Sequence, residues 1–220
     1  MNIVLICAGD HGMETLNYLN DIQHAKKNIF QKIYIIDKNL KKRKLFKKIN
    51  KNIILINSIK KIPKNLKIKA NITAGDPIIR ENAYMQLKKK GIDLFTIIHP
   101  TSYVAKTALI KKGAIIGPKS VIAPFSIIED NVLINSAAIV GHHSKIGKNS
   151  VLSPNAFTGG HAKVGKCAFL GASSCIMPNT RMGNYSKLSA CSVLYKNINN
   201  YYLAHGNPAK EKRMYIGSKK

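Results

Sequence analysis

Three histidines in this chain are spaced in a way that can support chemistry: His142 and His143 are adjacent, and His161 follows His143 by eighteen residues. Imidazole changes charge near neutral pH. It can take a proton from an attacking amine or hydroxyl, or ligate a divalent metal through a ring nitrogen. Lys145, Lys163 and Arg181 recur at the same eighteen-residue interval and offer fixed positive charge to an anion. Which chemistry applies depends on the elements that bring these side chains together.

Those elements are written as a repeat. From Ile98 to Leu194 an aliphatic residue opens each of seventeen six-residue units without insertion or deletion, Thr158 being the one exception. Four positions further on, the first sixteen units carry Ser, Ala or Thr, except at Val132. A hexapeptide period belongs to the parallel β-helix, in which each unit supplies a short strand and a turn. Three units close a triangular coil, and successive coils pair as parallel strands about 4.8 Å apart. A left-handed coil is expected, because that hand is associated with this period.

The period also sorts the outward residues. Tyr103, Val121, Ile139, Phe157, Cys175 and Val193 fall on one face, and Ile115, Leu133, Val151 and Phe169 on another. Apolar strips of that length must be covered by something. The third face turns from Leu109 and Ile127 to the basic row Lys145, Lys163, Arg181. His142 and His143 fall on the corner between the first apolar strip and this basic face, and His143 should stack on His161.

Residues 1–95 read differently. Strand-like stretches at 2–7, 32–37, 53–55 and 68–73 alternate with helical patterns at about 11–22 and 77–90, which indicates a small α/β domain with a parallel sheet. Its first turn, Cys7-Ala8-Gly9-Asp10-His11-Gly12, follows an apolar strand and opens a helix, so backbone amides there can meet a phosphate. It is an incomplete GxGxxG, since Cys7 stands at the first glycine, and a tight structural turn explains it equally well. Asp37 ends the second strand, where an acidic side chain can bind a ribose hydroxyl, and Gly75 follows a later strand at the same edge.

Composition narrows the classes. With 220 residues and 45% hydrophobic content, a sizeable core in one or two domains is possible. No apolar run approaches the roughly eighteen residues of a membrane span. The N-terminus lacks a basic leader and a small-residue cleavage site. No membrane insertion and a cytoplasmic location are therefore expected. The four cysteines form no CxxC pair and read as reduced structural thiols. A net charge of +26 is spread over the chain without interleaved aromatics, so nucleic acid is not the expected partner; anionic small molecules are.

Five segments then resemble one family: AGDHG at 8–12, TAGD at 73–76, IIHP at 97–100, IGKNSVLSPNA at 146–156 and GNPAK at 206–210. Together they are similar to the bacterial sugar O-/N-acetyltransferases of the sialic acid O-acetyltransferase type, hexapeptide-repeat acyltransferases that include enzymes acetylating UDP-4-amino-sugars. The likeness runs in order along essentially the whole chain. It implies a Rossmann-like nucleotide-sugar domain over 1–95 and a left-handed β-helix carrying acetyl-CoA, with a C-terminal tail, over 96–220. It also implies transfer of acetyl from acetyl-CoA to an amine or hydroxyl of a nucleotide-linked sugar or sialic acid, in a homotrimer with active sites between protomers.

Residue by residue, the resemblance implies His142 as general base, with Asn135 and His143 in the active site. It implies Gly9, Asp10, His11, Gly12, Asp37, Lys38 and Gly75 at the sugar nucleotide. Val151, Gly160, Ala172, Ala190 and Lys163 are implied at acetyl-CoA, and no metal. Asn135 lies one unit before His142, on another corner, so the two should meet only across protomers. The chain also departs from the pattern. Many relatives carry Asp or Glu after the catalytic histidine, where this chain has His143, and some carry a histidine at the position of Val151. Without the acidic neighbour, a non-catalytic nucleotide-sugar-binding trimer is the alternative reading. A γ-carbonic-anhydrase-like metal hydratase is a third; that class uses the same helix, but its three histidines are spaced differently.

Overall fold

The computed structural model describes residues 1–7, 9–26, 29–36, 43–62 and 67–214. Strands β1 (Asn2–Ile6), β2 (Lys32–Ile36), β3 (Ile53–Ile56) and β4 (Ile68–Ile72) form one parallel sheet in the order β3-β2-β1-β4. Helices α1 (Asp10–Ala25), α2 (Arg43–Ile49) and α3 (Pro77–Lys89) connect or follow them. Strands β1 to β3 are nearly continuous apolar runs because both faces of the sheet are covered: Val4 and Leu5 are fully buried but belong to different core clusters on opposite sides. In α1 the buried residues Gly12, Thr15, Leu16, Leu19 and Ile22 recur at helical spacing. Asp76 caps α3 by accepting from the amides of Ile78 and Ile79, and Pro77 occupies its first turn. Helix α2 is not evident in the sequence, because lysines hide its period; a single aromatic, Phe46, is fully buried on it.

From Ile97 the chain winds into a three-sided parallel β-helix of two-residue strands. Register is eighteen residues as far as Leu194, as in Ile127 opposite Lys145 and Lys145 opposite Lys163, and sixteen in the last coil, where Lys187 lies opposite Leu203. The first residue of each unit points into the prism, where Ile122, Ile128, Ile134, Val140, Ile146 and Leu152 are wholly buried. The small residue four positions on lies beneath the next turn. Ser144 and Ser150 use that closeness to donate to the carbonyls of Gly159 and Gly165, each at 2.7 Å. From Gly113 to Cys191 each corner turns through one residue of left-handed backbone, including His143 at φ 57° and His161 at φ 60°. Its amide donates to the preceding coil, as His143 does to Pro124.

The two parts share a core. The apolar strip Ile115, Leu133, Val151 and Phe169 packs against Leu16, Leu19 and Phe30 of the N-terminal domain. Val151 is only 2% exposed there, so the expected contact with acetyl-CoA is corrected: its outward direction is real, but the chain's own N-terminal domain occupies that face. His99 fastens the first coil to α1, with Nε2 2.9 Å from Asp21 and Nδ1 2.9 Å from the Thr101 hydroxyl. Tyr18 sets its ring edge against His99, and its hydroxyl lies 3.4 Å from that of Ser136.

Arg80 provides the firmest link. Fully buried on α3, it donates to the carbonyls of Ile72 and Ala74 and to both the carbonyl and side-chain oxygen of Asn131 on a β-helix corner. Burial pushes its guanidinium down to about 9, which leaves it charged at neutral pH. Replacing it with Ala should strand those buried acceptors and lower the unfolding free energy by about 3 kcal/mol, measured by urea denaturation. Arg80→Lys should recover little, because one ammonium cannot span carbonyls on both sides of the junction.

Candidate active site

The three histidines converge on one corner of the β-helix. Phe125, His143 and His161 occupy the same left-handed turn position on successive coils, and their rings form a column: Phe125 to His143 at 5.0 Å and His143 to His161 at 4.7 Å between centroids. His142 stands one residue earlier and meets both imidazoles edge-on, at 5.3 and 5.2 Å. Its Nδ1 lies 3.1 Å from Nδ1 of His143. All three imidazoles are exposed.

The arrangement suits a base better than a metal. One nitrogen from each histidine falls within 4.8 Å of the others. Yet His143 and His161 lie face to face, 10° from parallel. Ring lone pairs lie in the ring plane, so theirs run side by side and do not converge on one ion, as ligation requires.

Gly160 completes the seat of His142. A Cβ built there would fall 2.5 Å from both Cε1 and Nε2 of His142, so the missing side chain lets the ring lie over the next coil. Below the histidines a groove of about 410 Å³ is lined by His143, His161, Lys163, Asn179, Arg181 and Asn197. Of the basic row, Lys145 is partly neutralised by Glu129 at 3.4 Å. Burial alone would raise the Glu129 carboxyl, but hydrogen bonds from Lys111 and Lys145 outweigh it and hold the group below its ordinary value. Lys163 and Arg181 have no ion-pair partner among the described residues and are the cations left for an anionic ligand.

On the other side of the corner lies the face of Tyr103, Ile139 and Phe157, exposed by 59%, 38% and 36%. Beyond it, the next corner carries Asn135, whose side-chain oxygen accepts from the Ser136 amide at 2.7 Å. Ala172 and Ala190 are exposed on successive coils of that second corner. The structure therefore gathers His142, His143, Gly160 and Lys163 around one edge of the apolar face, and Asn135, Ala172 and Ala190 along the other.

The N-terminal residues are distributed less evenly. Cys7 takes φ 60°, the turn conformation for which a glycine was missed in the fingerprint. Gly9 and Gly75 have nothing within 4 Å of a built Cβ, so neither is required by packing. Asp10 is exposed at the first turn of α1. His11 binds Glu14 through Nδ1 at 3.0 Å, while its buried Nε2 has no partner. Gly12 is a correction: it lies buried within α1 with its amide committed to the Gly9 carbonyl, so it serves helix packing and has no donor for a phosphate. Asp37 and Lys38 lie outside the described residues.

The sequence matches no protein-family model and no curated protein. Solved structures do match. Perosamine N-acetyltransferase from Caulobacter crescentus, in complex with CoA and GDP-perosamine, aligns over 97% of this chain and 98% of its own with 22% identity and a TM-score of 0.83. The acetyltransferase domain of PglB from Neisseria gonorrhoeae aligns over 96% and 99% with 22% identity and a TM-score of 0.83. WeeI from Acinetobacter baumannii aligns over 96% and 100% with 17% identity and a TM-score of 0.80. This chain shares their fold. The likeness spans both parts of the chain, so the placement of the sheet domain on the β-helix is common to all of them.

Sequence reasoning missed Phe125, although it precedes His143 by the same eighteen residues that separate His143 from His161. It also missed Asn179 and Asn197 in the groove. Gly160→Ala tests the seat. Since His142 is an exposed side chain, the fold should adapt and the melting temperature stay within a few degrees of wild type. The displaced imidazole should lower kcat by about tenfold or more, measured by CoA release.

Proposed function

We propose that this chain is an acetyl-CoA-dependent N-acetyltransferase that acylates the amino group of a nucleotide-linked sugar. The observation that carries this reading is the corner itself: an imidazole seated over Gly160, between an exposed apolar face and a groove with two uncompensated cations. The matched structures support the choice of ligands, since one holds CoA with GDP-perosamine and the PglB domain was also solved with acetyl coenzyme A. We take the coil to be left-handed, and residues 1–95 to be a Rossmann-like domain that receives the nucleotide beside Asp10 and His11, where the missing side chains of Gly9 and Gly75 leave room for close approach. Residues 96–220 form the acetyl-CoA domain.

In this reading the sugar amine attacks the thioester carbonyl while His142 Nε2 takes its proton. The C–S bond breaks, and CoA leaves as the thiolate, which is then protonated. Proton transfer of this kind is worth about 10²–10⁴-fold in rate. His142→Ala should lose that factor and still melt like wild type, because an exposed turn side chain adds nothing to the prism core. Arg181→Gln and Lys163→Gln should raise KM for acetyl-CoA and leave that for the sugar nucleotide unchanged.

The exposed apolar face directs the assembly. Three such faces turned towards a common three-fold axis would bury Tyr103, Ile139 and Phe157. They would also bring the Asn135 corner of one protomer to the His142 corner of the next. A homotrimer with interfacial sites follows, with acetyl-CoA passing Ala172 and Ala190 of one protomer and Gly160 of its neighbour. Mixing inactive Asn135→Ala and inactive His142→Ala subunits should restore part of the activity, because some interfaces then pair an intact residue of each kind. Zero activity after verified subunit exchange would refute the interfacial site.

A further inference from the structure

We propose that His143 is the positioning residue and proton outlet of the catalytic base: it accepts the Nδ1 hydrogen of His142, which fixes the tautomer that leaves Nε2 free, and then carries the proton to solvent. This inference rests on the reading of His142 as base.

The geometry allows few arrangements. An imidazole that takes a proton at Nε2 must carry its own hydrogen on Nδ1. Nδ1 of His142 faces Nδ1 of His143 at 3.1 Å, and two nitrogens at that distance share one hydrogen between them. No carboxylate is paired with either ring among the described residues. The acceptor is therefore the neutral His143 ring, whose own hydrogen sits on Nε2.

His143 is held for this task. Its ring lies between Phe125 and His161 in the column described above, and its amide is tied to the Pro124 carbonyl at 3.0 Å. It is also exposed, so water can reach it. The ionisable groups that share its surroundings are His142, His161, Lys163 and Arg181, with Asn179 and Asn197 as neutral neighbours in the groove.

Two groups of the same chemical type exchange a proton without the large uphill step that a carboxylate acceptor would impose. As the amine nitrogen bonds to the carbonyl carbon and the C–S bond breaks, the amine proton goes to His142 Nε2. The Nδ1 proton of His142 passes to His143 Nδ1, and His143 releases its Nε2 proton to water. The CoA thiolate takes one proton from water. To reset the pair, His143 takes a proton from water at Nε2 and returns its Nδ1 proton to His142, which loses its Nε2 proton to water, so the count closes and His142 regains a free Nε2.

The test reads the tautomers directly. In the wild-type protein labelled with ¹⁵N-histidine at about pH 8, long-range ¹H–¹⁵N correlation should show His142 protonated on Nδ1 and His143 on Nε2; His142 protonated on Nε2 would overturn the proposal. Two variants add a kinetic readout. His143→Phe keeps the ring column without an acceptor and should lower kcat at least tenfold with both KM values unchanged. His143→Glu restores an acceptor and should recover most of that loss. It should also move the acid limb of the pH profile of kcat/KM to higher pH, because an anionic neighbour favours protonated His142. Wild-type kcat in His143→Phe, or a His143→Glu variant no better than it, would sink the relay. Retained activity in His142→Ala would instead remove the base assignment and leave the tautomer measurement standing by itself.

Discussion

The structure depends on one constraint: up to Leu194 each coil of the β-helix closes in eighteen residues, so parallel pairing keeps one register until the last coil, which closes in sixteen. A single insertion would move each later aliphatic residue out of the prism, because strands of two residues have no length over which to recover register. Function inherits that rigidity. Phe125, His143 and His161 stack because they are one coil apart, and the same rise places Lys163 and Arg181 in a row beneath them. The site is a column built into the repeat, with no lid or long loop needed to assemble it.

A triangular prism has three outward faces, and each has a different fate here. The strip Ile115–Leu133–Val151 is covered by α1 and its sheet, and so fixes where the N-terminal domain sits. The strip Tyr103–Ile139–Phe157 is exposed, and burying it costs least against copies of itself. The third changes from Leu109 and Ile127 to cations, as suits an anion in solvent. His142 stands between the second and third, where an apolar contact and a charged groove meet.

Much of this was legible in the sequence because the repeat is arithmetic. Period six placed every core residue and corner, and period eighteen placed His143 over His161. What the arithmetic could not supply was the occupant of each face. Val151 points outward as counted, yet the rule that sorts inward from outward does not say whether solvent, a coenzyme or another domain lies beyond. Gly12 fits a phosphate fingerprint by spacing, yet its amide was already taken inside α1. Helix α2 went unseen because one buried Phe46 among lysines gives no period. Phe125 was overlooked because its role is to support a neighbour, which spacing reveals only when the neighbour is already known.

In the proposed function, the junction between the two parts bears on how two large anionic substrates can meet without a closing motion. Arg80, His99 with Asp21, and Tyr18 with Ser136 tie the sheet domain to turns on two corners of the helix. Ser136 is the residue whose amide is engaged by Asn135. The contact that seats α1 on the helix is therefore one hydrogen bond removed from the asparagine proposed to enter the neighbouring active site. Rigid docking then sets the distance between the nucleotide turn at the start of α1 and the acetyl groove. On that proposal, discrimination among sugars rests on the shape of the fixed gap. A buried arginine with no carboxylate partner among the described residues is a costly way to hold two domains together, and its cost is understandable if the separation it fixes is the one across which acetyl would travel in the proposed reaction.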